Sequence, residues 1–255
     1  MPETFAALLF AHVIGDFILQ PGWMAADKAR RGPMGRMDRA ALFALVFHIA
    51  VHGALLSVVL LPQAPGFAFA LALVIGSHLM IDFLKGFAPA GSLLAFLTDQ
   101  AAHLAALGAI AALMPGLWAG SFWATAPWLP GIMALIAGAI LTTRAGGLAI
   151  GLLMAPLAEN APAEGLPSGG KLIGLLERGM IFVLVLAGQP GGIGFLIAAK
   201  SILRFETLKD GGANPRSEYV IIGTLASFGW ALVAGYLTLA LLAHLPTLGI
   251  LPDPP

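Results

Sequence analysis

The chain contains no cysteine, which excludes disulfides, thiolate-bound metals, iron–sulfur clusters and covalently attached haem. Charge is scarce too. Only 10% of residues are Asp, Glu, Lys or Arg, against roughly 25% in a soluble domain. The 13 basic residues balance the 13 acidic ones to zero, which argues against nucleic acid as a partner. The first 20 residues have neither a basic start nor a small-residue cleavage site, so no cleaved signal peptide is expected there.

What the chain has in abundance is apolar surface. Hydrophobic residues make up 59% of its 255 residues, and the mean hydropathy is +0.91. A soluble core of this length could not hide that much, so the lipid bilayer must cover part of it. The expected fold is an all-α, polytopic transmembrane bundle of about eight spans, over 3–20, 41–61, 67–87, 93–114, 128–143, 172–188, 192–208 and 219–245. Each approaches the roughly 20 residues a bilayer demands, the fifth to seventh being short. The stretch 144–171, an apolar run followed by Glu159, Pro162, Glu164 and Pro167, is read as a surface or re-entrant segment.

Lys28, Arg30, Arg31, Arg36 and Arg39 crowd the first loop. The positive-inside rule makes it cytoplasmic and puts the N-terminus outside. Lys85 and Arg144 then fall near cytoplasmic ends, and the uncharged loop 115–127, with Trp118 and Trp123, falls outside. By chemistry the chain divides into a four-helix part, 1–115, and a C-terminal part, 116–255. One integrated membrane domain is expected, because each half's polar face needs cover.

Five of the six histidines lie within the first 103 residues, each with a histidine or aspartate four positions away. The pairs are His12 with Asp16, His48 with His52, His78 with Asp82, and Asp99 with His103. Residues four apart share a helix face, so four helices can each turn one pair toward a common interior. Ionisable groups at membrane depth are costly and usually mark function. Histidine with carboxylate suits zinc first, with manganese or iron as alternatives, and helical bundles build dimetal sites this way. The competing reading is a polar core whose members hydrogen-bond one another without an ion. Gln20, one turn beyond Asp16, extends the polar pattern. Gln100 neighbours Asp99 but projects elsewhere on an ideal helix. Lys85 follows Asp82 by three positions, where it can neutralise that carboxylate, bind an anionic substrate group or snorkel to the surface. His244, near the end of the last span, is read as interfacial.

The second half carries a different chemistry. Gly169-Gly170-Lys171 lacks the spacing of a phosphate loop. Glu177 and Arg178, adjacent on a helix, project about 100° apart and need separate partners. Lys200 and Arg204 share a face beyond a glycine-rich turn at 188–194. Glu177 against Lys200 or Arg204 would be a structural ion pair, and an anion pocket is the rival reading.

The stretches His12 to Gln20 (HVIGDFILQ), His78 to Lys85 (HLMIDFLK) and Thr98 to His103 (TDQAAH) resemble a family of bacterial membrane proteins known as domain of unknown function 3307. Residues 170–178, 194–205 and 218–227 look like the C-terminal part of its longer members. The resemblance implies a multi-pass inner-membrane protein and brings no activity. A looser likeness, of pattern only, links the His and Asp pairs to membrane metal-dependent hydrolases.

Three functions compete. A metal-dependent membrane hydrolase would activate water at the ion and hold a lipid-like or anionic substrate through Lys85, Lys200 or Arg204. A metal-ion or proton transporter would use the same pairs as its pathway. Non-covalent haem leaves the aspartates unexplained and ranks last. Transporters often break helices near the site, whereas the glycines here cluster at 188–194, which favours an enzyme.

The absence of native cysteine makes the orientation directly testable. Gly32→Cys should resist a membrane-impermeant maleimide in intact cells, and Ala119→Cys should react. The opposite pattern would invert the topology.

Overall fold

The computed structural model describes residues 1–32, 35–60, 66–160, 168–205 and 215–248, except for the side chains of 159–160, 201–205 and 215–216. The fold is all-α, with no strand among the described residues. In chain order the helices are α1 (Pro2–Phe17), α2 (Gly22–Lys28), α3 (Arg39–Leu60), α4 (Phe67–Lys85), α5 (Leu93–Leu113), α6 (Leu129–Ile140), α7 (Gly146–Met154), α8 (Gly169–Leu186), α9 (Gly191–Phe205) and α10 (Pro215–Leu242). The chain divides into one unit of Met1–Ala137 with Leu241–Leu248 and a second of Gly138–Ala240. The first unit thus extends past residue 115.

Five stretches are long and apolar enough to cross a bilayer: Arg39–Leu60, Phe67–Lys85, Leu93–Leu113, Leu129–Ala158 and Ser217–Leu242. Counting α1 with α2, which are bent by 93° where they meet, gives six. Two of the eight expected spans fall short for physical reasons. α8 carries Lys171, Glu177 and Arg178 within its 18 residues. α9, at 15 residues, rises only about 22 Å against a hydrocarbon core of roughly 30 Å. The reading of 144–171 as a separate surface segment does not hold for its first part. Helix continues from α6 through a π-turn at Leu141–Ala145 into α7 and a 3₁₀ turn at Ala155–Asn160, and Pro162, Glu164 and Pro167 lie outside the described residues.

In the first unit α1, α3, α4 and α5 form a closed ring, each packing against two of the others. Two polar devices set helix starts at the end bearing the basic loop. Asp38 accepts from the Ala41 amide at 2.7 Å ahead of α3, and this bond, with Arg30 at 2.6 Å, holds its carboxyl below the usual range. Ser92 accepts from the Ala95 amide ahead of α5, an N-cap. At the far end the uncharged loop closes the bundle. Thr4 donates to the Pro115 carbonyl at 2.9 Å and accepts from the Trp118 amide at 3.2 Å, and the Trp123 indole donates to the Val58 carbonyl.

The second unit is organised around the π-turn, a feature frequent at functional sites. Its backbone presents two carbonyls to side chains: Trp230 donates to Leu141 at 2.9 Å, and Arg178 donates to Thr143 at 3.0 Å and to Ser227 Oγ at 3.1 Å. Gly146 makes room, since a Cβ there would sit 2.6 Å from the Trp230 ring. Glu177 takes Lys200 at 2.7 Å, across a turn in which Gly188 has a φ of 66°. Glu177 and Arg178 therefore do find separate partners. Arg204 lies in α9, but its side chain is outside the described residues.

Trp230→Phe removes one indole donor while keeping the ring. It should cost about 1 kcal/mol, a fall of roughly 2–4 °C in the midpoint of thermal unfolding in detergent. An unchanged midpoint would show that the bond contributes nothing to the π-turn.

Candidate metal centre

The four expected pairs converge. α1 supplies His12 and Asp16, α3 His48 and His52, α4 His78 and Asp82, and α5 Asp99 and His103; every one of these side chains is buried. The ring centroids of His52 and His78 are 3.9 Å apart, those of His78 and His103 4.2 Å, and those of His12 and His103 4.8 Å.

Residue order explains how the pairs meet in register. α1 and α4 run toward the basic-loop end and read His then Asp. α5 runs the other way and reads Asp then His. The up-and-down topology therefore places the three aspartates toward the loop end, with His12, His78 and His103 one turn deeper. α3 has a histidine at each level, His48 among the carboxylates and His52 below.

Asp16 is the focus. Its Oδ1 lies 3.1 Å from His52 Nε2, 3.2 Å from His48 Nε2 and 3.6 Å from His78 Nε2, and its Oδ2 accepts from Gln100 Nε2 at 3.2 Å. His48 Nε2 and His78 Nε2 are themselves 3.1 Å apart. With bonds of about 2.0–2.2 Å, ligand atoms of a tetrahedral ion stand about 3.3–3.6 Å from one another, close to the 3.1–3.6 Å seen around this oxygen. His12, Asp16, His52 and His78 each offer one ligand atom, and these lie within 4.8 Å of one another. The same holds for His48, His78 and Asp82, and for Asp82, Asp99 and His103.

Hydrogen bonds within the cluster leave much unsatisfied. Both ring nitrogens of His12, Nδ1 of His48, Nε2 of His103 and Oδ1 of Asp82 and Asp99 are buried with no hydrogen-bond partner among the described residues. At about 1–3 kcal/mol each, these six atoms would cost on the order of 6–18 kcal/mol, as much as the net stability of a whole domain. A cation in the cluster would take a His12 nitrogen as ligand, and water bound to it would serve others, so the donor set fits a borderline divalent ion.

Several polar partners differ from expectation. Lys85 pairs with Asp99 at 2.5 Å, not with Asp82, because Asp82 already holds Lys28 at 2.7 Å. Lys28 is a member of the site that its place in a basic loop concealed. It ends α2, the short helix that folds back over the bundle, and Met24 one turn earlier is also buried. Their spacing on one face was the available signal. Arg31 pins this segment by donating to the Phe83 carbonyl at 2.9 Å. Gln100 does not project away, since its amide bridges Asp16 and Asp99 Oδ2. Gln20 is not on the face of Asp16, because α1 ends at Phe17 and Pro21 disfavours helix at the residue before it. Lys85 and Lys200 are both engaged by carboxylates.

A buried His and Asp centre inside an all-α bundle of membrane-type helices defines the class of protein. Residues 4–126, just under half of the chain, match the family described as "Protein of unknown function (DUF3307)", and all four pairs fall inside the match. No match was found among curated proteins or among solved structures.

Gly15, between His12 and Asp16, is set by the site. A Cβ there would land on the imidazole of His52. Gly→Ala in a helix ordinarily stabilises by up to about 1 kcal/mol. Gly15→Ala should instead destabilise by roughly 1–3 kcal/mol through overpacking, whereas Gly76→Ala on α4, with nothing within 4 Å, should be neutral or stabilising. A thermal midpoint raised equally by both would show that His52 does not need the space.

Proposed function

We propose that the N-terminal unit holds a divalent metal ion, zinc first and manganese or iron as alternatives, and that the protein is a metal-dependent hydrolase of the bacterial inner membrane acting on a lipid-like or anionic substrate. The observation that carries the metal is the gathering of His48, His52 and His78 Nε2 within 3.6 Å of one Asp16 oxygen. His12, whose two nitrogens lack hydrogen-bond partners among the described residues, stands beside it. When bound, such an ion lowers the pKa of water so that hydroxide forms at neutral pH. The chain's own residues supply the rest. Asp16 and the imidazoles would hold the ion, Gln100 fixes the Asp16 carboxylate through Oδ2, and the carboxylates of Asp82 and Asp99, each with one buried oxygen that has no hydrogen-bond partner among the described residues, would accept protons.

The preference for an enzyme over a metal-ion or proton transporter rests on the far half of the bundle. One turn beyond the histidines, on the side away from the basic loop, stand Leu8, Leu56, Val74 and Leu107. They belong to one close-packed apolar cluster that continues through Leu60, Ile110 and Trp118. An ion or proton path would have to pass through this layer, whereas a hydrolase needs access from one side only. The positive-inside rule makes that side cytoplasmic and leaves the N-terminus outside.

Elemental analysis after chelator-free purification should find metal in the wild type and at least a tenfold loss in an Asp16→Asn/His52→Ala/His78→Ala variant. The spans should still insert, because removing ionisable groups makes them more apolar. Equal metal in the two proteins would leave only a hydrogen-bonded core. Hydrolysis of amphiphilic esters by the loaded protein supports the enzyme. Metal flux in proteoliposomes without hydrolysis would favour the transporter.

A further inference from the structure

The site has ligands to spare, and the question is how many ions it takes. Three groups of ligand atoms converge, and the middle one, His48, His78 and Asp82, shares His78 with the first and Asp82 with the third, so two ions at most have separate places: one around Asp16 with His12, His52 and His78, and one formed by Asp82, Asp99 and His103. What distinguishes them is their cationic neighbours. Asp82 Oδ2 holds the Lys28 ammonium at 2.7 Å, with the two side chains 1% and 7% exposed. Asp99 Oδ2 holds the Lys85 ammonium at 2.5 Å, the aspartate 2% and the lysine 32% exposed. Asp16 has no lysine or arginine within ion-pair distance among the described residues, and only imidazoles and the Gln100 amide surround it.

Resting on the metal-site reading above, we infer that the centre is mononuclear, with the ion at Asp16, and that Lys28 and Lys85 supply at Asp82 and Asp99 the positive charge a second ion would bring. Charge decides the count. Three carboxylates against two ammonium groups leave one net negative charge in the buried cluster, with the imidazoles neutral as ligands must be. One divalent ion turns this into one positive charge, which a single hydroxide or anionic substrate oxygen cancels. Two ions would leave three positive charges in a low-dielectric interior, where uncompensated charge costs several kcal/mol per group. The remaining atoms of the second group, Asp82 Oδ1, Asp99 Oδ1 and His103 Nε2, are then not ligands. They form a polar wall beside the ion that accepts hydrogens from water or substrate.

Lys28 arrives on α2 rather than on a bundle helix, held down by Arg31, whose guanidinium packs on the Gly86 backbone and over the Phe83 and Phe87 rings. The neutralising charge at Asp82 is thus carried by a segment that closes over the site from the basic-loop side.

The test is metal stoichiometry by elemental analysis and by titration of the metal-stripped full-length protein with zinc alone. The wild type should bind about one ion per chain. Asp82→Asn/Asp99→Asn should still bind about one, and Asp16→Asn should lose it. Lys28→Met/Lys85→Met, which frees both carboxylates, should bind about two. Thermal unfolding of each variant in detergent establishes that it is folded, and a single variant of either pair replaces a double that is not. About two ions in the wild type, loss of all metal in Asp82→Asn/Asp99→Asn, or about one ion in the folded Lys28→Met/Lys85→Met variant would overturn the inference while leaving a metal site in place. No ion in the wild type would instead overturn the metal reading beneath it.

Discussion

A carboxylate inside a membrane bundle has to be compensated from within the protein, because lipid supplies no hydrogen bonds and no counter-charge. Asp16 is the place where this constraint bears hardest. The other two carboxylates of the cluster have lysines, and Asp16 has a ring of imidazole nitrogens. Much of the first unit follows from that arrangement. His48, His52 and His78 must face one oxygen, so three helices are fixed in rotation and depth. Gly15 must lack a side chain so that His52 can lie against α1. Gln100 must turn inward to hold the second oxygen. The loop after α1 must fold back, because Lys28 is needed at Asp82.

The rest of the bundle makes that polar centre tolerable. Below the histidines the apolar cluster from Leu8 to Trp118 fills the interior, and the uncharged aromatic loop ties off the far end through Thr4 and Trp123. Among the described residues the buried ionisable groups of the unit all lie toward one end, which is why the site reads as a one-sided centre. In the second unit the polar residues do different work. Arg178 and Trp230 hold the carbonyls of a π-turn, and Glu177 binds Lys200 across a tight turn.

The sequence carried the class of fold and the centre of the site in readable form, because both follow from local rules. Four-residue spacing puts His and Asp on one helix face, and four such faces in lipid have nowhere to turn but inward. The reversal of order on α5, Asp before His, records the antiparallel topology in the same letters. Lys28 was hidden because a basic loop is read for its charge count rather than for where one side chain folds. Gln100 was misplaced because an ideal helix separates neighbours by about 100°, and a long flexible amide overcomes that angle. Gln20 lies beyond the end of α1 at Phe17, since Pro21 disfavours helix at the residue before it. The run from 144 to 158 stayed helical because α7 follows the π-turn without a break, and nothing in Arg144-Ala145-Gly146-Gly147 announces this.

On the proposed reading, the imidazoles around Asp16 are ligands and not merely hydrogen-bonded neighbours. X-ray absorption spectroscopy of the zinc-loaded, purified protein tests it most directly. Nitrogen and oxygen scatterers are expected at about 2.0–2.1 Å, with the outer-shell scattering of at least two imidazole rings, and the imidazole signal should be lost in Asp16→Asn/His52→Ala/His78→Ala. A shell of oxygen alone, or a spectrum unchanged by those substitutions, would contradict it.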